Sequence, residues 1–271
     1  MAVWYQQSEI KISRSFRIGL QASIRKGENA MWLQACLNGS RKMTDHSAVP
    51  LTPAALAEDA RRVLAAGAVS LHVHSIDEAG VESLAPDVVG ETLKAIREAC
   101  PGVAVGISTA AYIEPNLSRR LTLMDTWSVL PDFVSVNLSE PGIEQVMAVM
   151  VQQGVGLEAG IWTAADARFL LSLTDVSWLR LLLEPWESNP EQAKRIVDTI
   201  EDVLGDALPQ VPRLIHGTDE AVWPLLERAM RSGHVSRIGL EDTLLLPSGE
   251  VATDNAALVR AAKTLMNPSV A

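Results

Sequence analysis

The chain is short of cysteine, of basic residues and of long apolar runs, and each shortage closes off a class of protein. Cys36 and Cys100 are its two cysteines in 271 residues. Two thiols make neither a disulfide scaffold nor a Cys-rich zinc site, and they fit a reducing cytoplasm. Lys and Arg number 23 against 33 Asp and Glu, a net charge of −10, with no basic block to meet nucleic acid or an anionic membrane. No run approaches the ~18 consecutive apolar residues of a membrane span. The N-terminal stretch MAVWYQQSEIKISRSFRIGL has no apolar segment behind a basic start, which argues against a secretory signal. Low-complexity segments and internal linkers are also missing, and an apolar share of 48% places the chain among globular proteins rather than disordered ones.

What is there is an alternation. From about residue 31, short β-branched or apolar runs are each followed by a longer stretch of helical period. The runs fall at 31–37, 68–74, 103–108, 133–138, 155–158, 179–183, 213–216 and 235–240. The helices fall near 53–66, 86–99, 117–126, 142–153, 163–172, 190–204, 218–232 and 253–266. Thr52-Pro53 starts the first helix as a hydroxyl cap followed by proline at the first helical position. Eight strand–helix units at ~30 residues each predict an α/β chain closed as a (βα)8 TIM barrel, for which ~250 residues is usual. A doubly wound open sheet is the alternative, weakened because no Gly-x-Gly-x-x-Gly follows any strand. Residues 31–271 are therefore expected to form one barrel domain. Residues 1–30 lie outside the repeat as an N-terminal extension, either an edge strand or arm (Ile10, Ile12, Phe16, Ile18) or a disordered leader.

Barrel chemistry sits at the C-terminal ends of the strands. Seven of the eight runs end in groups able to bind a metal, move a proton or hold an anion: His72 and His74, Ser108-Thr109, Asn137, Glu158, Glu184, His216, and Glu241-Asp242 with Arg237 before them. His72-Val73-His74 is the sharpest element. Residues i and i+2 of a strand share a face, so both imidazoles point into the mouth while Val73 packs outward. Two neutral imidazoles are half of a site for a divalent cation such as Zn2+, and a carboxylate from another strand completes a face with open positions. Glu241 and Asp242 face the same way only if the eighth strand has ended before them. Taken alone, that acidic pair reads as a solvated rim or a salt bridge to Arg237. His234, at the other end of the barrel, reads as structural. Trp162 and Trp186 follow the fifth and sixth strands as candidate pocket walls suited to an apolar or cationic group.

These residues resemble the β-keto acid cleavage enzymes. The resemblance rests on Leu37-Asn38-Gly39-Ser40 with Pro50-Leu51-Thr52-Pro53, AAGAVSLHVH at 65–74, GIST at 106–109, SVNL at 135–138, Gly156–Glu158 as GLE, RIGLEDT at 237–243 and DNAALV at 254–259. It spans about residues 31–266. It implies a (βα)8 barrel, a homotetramer, and a divalent cation, normally zinc, on His72, His74 and Glu241. The reaction implied is a reversible Claisen-type exchange in which a β-keto acid and acetyl-CoA give acetoacetate and a new acyl-CoA. The family's proton-transfer residues correspond to Arg237 and Asp242, with a further carboxylate at Glu158. Its substrate-binding residues correspond to Ser108, Thr109 and Asn137. The chemistry agrees: a metal-bound carboxylate has lost most of its basicity, so Asp242 is the expected base, with Arg237 lowering its pKa and fixing its position.

The chain departs from the family at three places. Ile76 stands where an Arg is frequent, Ala110-Ala111 where Gly is usual, and Ser40-Arg41-Lys42 where some members carry a Glu. The extra methyls at 110–111 would narrow the entrance, and Arg41 and Lys42 would be free to meet CoA phosphates. Two rival readings stand beside the first: another metal-dependent barrel enzyme such as an aldolase or hydrolase, and a non-catalytic binding barrel.

Overall fold

In a computed structural model, which describes residues 32–266, eight parallel strands alternate with eight helices. The strands are β1 (Leu33–Cys36), β2 (Ser70–Val73), β3 (Ala104–Ser108), β4 (Phe133–Asn137), β5 (Gly156–Ile161), β6 (Trp178–Leu183), β7 (Arg213–Ile215) and β8 (Ser236–Ile238). The helices are α1 (Pro53–Ala65), α2 (Pro86–Ala99), α3 (Leu117–Asp125), α4 (Ile143–Gln152), α5 (Ala164–Ser172), α6 (Pro190–Leu204), α7 (Val222–Arg231) and α8 (Asn255–Met266). From β1 to β7 each strand pairs with the next, and β1 also pairs with β8. The gap between β7 and β8 is closed by a parallel bridge, Leu214 to Val235, in which the Ile215 N–H donates to the Val235 carbonyl at 3.0 Å. The fold is the (βα)8 barrel the alternation predicts. The expected N-terminal extension lies outside the described residues.

Local chemistry sets the helix starts. Thr52 accepts the Ala55 N–H at 3.1 Å ahead of Pro53, as the Thr-Pro pair predicts. Asn116 caps α3, Thr163 and Asp166 form a reciprocal capping box on α5, and Asn189 caps α6 before Pro190.

The main apolar core lies between the sheet and the helices, where outward residues such as Leu71, Val73, Val105, Ile107, Val134 and Val136 meet the helix faces. Inside the cylinder the filling differs. Trp32, Leu182, Leu214 and Val235 form a separate apolar cluster. In the same interior a buried ion pair joins Glu158 to Arg180, whose guanidinium lies 4.2 Å from the Trp32 ring centre and 4.7 Å from that of Phe133. Gly106 makes room for Phe133, since a Cβ there would sit 1.9 Å from its ring. Among the described residues, the barrel interior below the C-terminal mouth is thus filled by these side chains.

Candidate metal centre and active site

The mouth holds a cavity of about 320 Å³ whose wall includes His72, His74, Ser108, Asn137, Arg237, Glu241 and Asp242. β2 delivers the two imidazoles in register with β1, Cys36 lying opposite His72. β1 ends at Cys36, yet its ladder continues: Asn38 accepts the His74 N–H at 2.9 Å and donates to the His74 carbonyl at 2.8 Å. A buried side-chain amide thus fixes the backbone of the second histidine.

The acidic pair reaches the same place by a turn. β8 stops at Ile238, and the N–H groups of Asp242 and Thr243 both donate to the Gly239 carbonyl, at 2.9 and 3.0 Å. The strand has ended before Glu241 and Asp242, so adjacent carboxylates can share one cavity. Gly39, at φ +56°, makes room for the first of them: a Cβ there would lie 2.5 Å from Glu241 Cγ.

The geometry suits a cation. Nε2 of His72 and Nε2 of His74 each lie 3.8 Å from Glu241 Oε1, and the three residues form the candidate metal cluster found among the described residues. Ligand atoms around a tetrahedral ion with ~2.1 Å bonds stand ~3.4 Å apart, so this trio is a few tenths of an ångström wider than a closed site. Glu241 Oε2 is buried and makes no hydrogen bond among the described residues. Burial pushes the His72 imidazole down to about 3, so the ring is neutral and keeps one nitrogen lone pair available. Burial acts the same way on His74, but Glu241 and Glu82 outweigh it and raise that ring. His74 Nδ1 meets Glu82 Oε2 at 2.5 Å, and Tyr112 donates its hydroxyl to the same oxygen at 3.0 Å. Burial would raise Glu241, yet Arg237 and the two imidazoles prevail and hold it at about 2, which keeps the carboxylate anionic. A four-coordinate ion on these three donors would keep one position open, as catalytic rather than structural sites do.

Arg237 joins the two acids. One terminal nitrogen donates to Glu241 Oε1 at 2.9 Å and to Asp242 Oδ1 at 2.8 Å. The effect on Asp242 is opposite to the sequence expectation: burial overrides the guanidinium and its carboxyl is raised, not lowered. Its Oδ2 makes no hydrogen bond among the described residues.

The remaining expected residues divide. Ser108 and Asn137 line the cavity, Asn137 donating to Glu140 at 2.8 Å. Thr109 is buried and spends its hydroxyl on the Ser135 carbonyl at 2.6 Å, off the cavity wall. Glu158 is fully buried, holds Arg180 and accepts from Gln34 Nε2 at 3.2 Å. It does not line the cavity, because β5 runs on to Ile161 and leaves Glu158 in mid-strand, below the mouth. Ile76 is buried, bridging to Glu82 across the turn after β2. Arg41 lines the cavity, but its guanidinium is paired with Asp219 at 2.7 Å. Trp186 is a pocket wall, 66% exposed and packed edge-on against Trp162 at 5.2 Å. His234 bonds Glu201 at 3.0 Å, away from the mouth cavity.

Sequence reasoning passed over Glu82. It sits eight residues past His74 in a polar turn, DEAGVE, that reads as a solvated loop. The available signal was the turn itself: Asp77 Oδ1 accepts the N–H groups of Ala79 and Val81, and Gly80 takes φ +78°, folding the chain back to β2.

A parallel barrel with a His–His–carboxylate cluster beside an Arg–Asp pair at its C-terminal mouth defines an α/β-barrel protein with a candidate metal site. The sequence comparison is more specific. The profile of the beta-keto acid cleavage enzymes matches residues 30–268, and the chain belongs to that family. A 3-keto-5-aminohexanoate cleavage enzyme of Fusobacterium nucleatum is 22% identical over 242 residues, 84% of this chain and 88% of that protein. Among solved structures, ObcA in a binary complex with oxaloacetate superposes with a TM-score of 0.64 at 15% identity, covering 78% of this chain and 62% of ObcA. The chain thus spans under two thirds of ObcA's length. A type I 3-dehydroquinate dehydratase from Clostridium difficile superposes at 0.61 with 11% identity, covering 89% of this chain and 93% of that one. At these identities the two superpositions speak for the barrel alone. Among the described residues, no helix is long and apolar enough to cross a membrane.

Proposed function

We propose that this chain is a divalent-metal-dependent enzyme, with Zn2+ as the expected ion, that condenses a β-keto acid with acetyl-CoA to give acetoacetate and an acyl-CoA. The observation that carries the reading is the placement, in a member of this family, of His72, His74 and Glu241 against Arg237 and Asp242 on one cavity wall. His72, His74 and Glu241 would hold the cation, which when bound would supply Lewis-acid polarisation of the ketone. Asp242, which lies outside the trio and keeps one free oxygen, takes a proton from the methylene between ketone and carboxylate. The carbanion attacks the acetyl-CoA carbonyl and expels CoA thiolate. That thiolate adds to the original ketone carbon, the bond between it and the former methylene carbon breaks, and the enolate released takes the proton back from Asp242, giving acyl-CoA and acetoacetate. Arg237 keeps Asp242 in place. Ser108 and Asn137 take the substrate carboxylate.

Glu158, held inside the barrel, has no part in this scheme beyond supporting the floor, and Thr109 acts through its backbone neighbours rather than on substrate. A homotetramer in the cytoplasm belongs to the same proposal, and sedimentation of the purified protein measures the first part.

The test is a panel of β-keto acids, each with acetyl-CoA, run with elemental analysis of the same preparation. Acetoacetate that requires keto acid, acetyl-CoA and a stoichiometric divalent ion is the expected result. Turnover without acetyl-CoA would move the chain to the aldolases or hydrolases, and bound metal with no turnover of any keto acid would make it a binding barrel.

A further inference from the structure

Glu184 and His216 also face the cavity, and the scheme above gives neither a role. Both are pinned. Glu184 Oε1 accepts the indole N–H of Trp162 at 2.9 Å, and Oε2 meets His216 Nε2 at 2.8 Å. On the other side of the ring, Arg237 Nε–H donates to His216 Nδ1 at 3.2 Å. An arginine Nε–H cannot accept, so His216 must present a lone pair on Nδ1 and carry its proton on Nε2, which donates to Glu184. One chain of donors and acceptors therefore runs from Trp162 through Glu184, His216 and Arg237 to Asp242. His216 is 6% exposed and Arg237 is 6% exposed, so water is poorly placed to replace either partner. Gly160 makes the arrangement possible. A Cβ on that residue would lie 2.7 Å from Glu184 Oε1 and 2.6 Å from Asn137 Oδ1.

We propose that the Glu184–His216 pair is a positioning device that locks the guanidinium of Arg237 by its Nε edge, so that its terminal nitrogen stays on Asp242 and Glu241. The inference rests on the proposed reaction for its consequence in catalysis, but not for its geometry. Arg237 is gripped from two edges: His216 on Nε, and two carboxylates on one terminal nitrogen. Without His216 the guanidinium is free to turn about its Cδ–Nε bond, and the base loses its fixed orientation. Glu184 sets the tautomer. A neutral amide there offers one acceptor to two donors, so either Trp162 goes unpaired or the imidazole reverses and turns an N–H against the Arg237 Nε–H.

The experiment uses the full-length, metal-loaded protein and two readouts. The first is the arginine Nε–H signal of Arg237 in 15N-edited spectra, assigned by its loss in Arg237→Lys. It exchanges slowly in the wild type, at least ~10-fold faster in His216→Ala, and is restored in His216→Asn, whose amide oxygen stands near the place of Nδ1. The second is steady-state kinetics. Loss of an orienting partner lowers activity by ~10–100-fold, so kcat is expected to fall by that much in His216→Ala and Glu184→Gln, with KM for the keto acid and metal content unchanged, and to recover in His216→Asn. Equal impairment of the Ala and Asn variants, or a fast-exchanging Arg237 signal in the wild type, overturns the positioning role. If the wild type turns over no keto acid while the exchange pattern holds, the reaction assignment has failed and the lock has not.

Discussion

Glu82 Oε2 meets His74 Nδ1 at 2.5 Å, so the carboxylate takes that N–H and turns the Nε2 lone pair of His74 toward Glu241. A carboxylate behind a ligand histidine selects its tautomer and makes it a better donor. Glu82→Gln is therefore expected to weaken divalent-metal affinity by ~10–100-fold, about 1.4–2.8 kcal/mol. Tyr112→Phe removes only the second bond to the same oxygen and should cost less. Competition against a chelator of known affinity measures both, and wild-type affinity in the glutamine variant would mean that Glu82 does not orient the ring.

Metal binding and proton transfer separate by residue. His72→Ala removes one of three donors and should leave the purified protein with little bound ion by elemental analysis. Asp242→Asn leaves the three donors in place, so metal content should stay at the wild-type level while kcat drops by ~10²–10⁴, the usual contribution of a general base. Metal lost in both variants would place Asp242 among the ligands.

Gly39→Ala tests the packing that admits Glu241. The residue sits at φ +56°, and the new methyl would meet Glu241 Cγ at 2.5 Å. Backbone strain alone costs ~1 kcal/mol. The displaced carboxylate adds a functional loss, so metal occupancy should fall along with the melting temperature. A variant that is less stable yet fully metallated would show that Glu241 tolerates the shift.

How far the sequence carries is clearest at its best and worst points. The barrel was legible because periodicity and helix caps are local: Thr52-Pro53 announces α1, and β2 places His72 and His74 on one face by parity alone. The meeting of Glu241 and Asp242 was legible as a condition, the end of β8, which the Gly239 turn meets. Glu158 was misplaced because a charge after an apolar run reads as the run's end. The strand instead continues through Ala159, Gly160 and Ile161, and a partner on the next strand, Arg180, neutralises the charge indoors. That pairing needs the β5–β6 register, which no single strand encodes. The Asp242 shift was missed for a related reason: the neighbour Arg237 is visible in the sequence, but the extent of burial is not.

Stability at low pH should report on a cluster away from the mouth. Glu201 accepts from His234 at 3.0 Å and pairs with Arg228, and these partners outweigh burial to hold its carboxyl at about 2, against an ordinary 4.5. A depressed carboxyl stabilises the fold fully above its unfolded pKa, and that contribution is lost as pH falls through the folded value. The window is therefore roughly pH 4.5 down to 2. Glu201→Gln removes the titrating group, so the variant should be less stable than the wild type near neutrality, with the difference in melting temperature shrinking as pH drops across that window. Thermal unfolding followed by circular dichroism at half-unit steps measures it. A difference that stays constant down to pH 2 would mean that the His234 and Arg228 contacts contribute through packing rather than through charge.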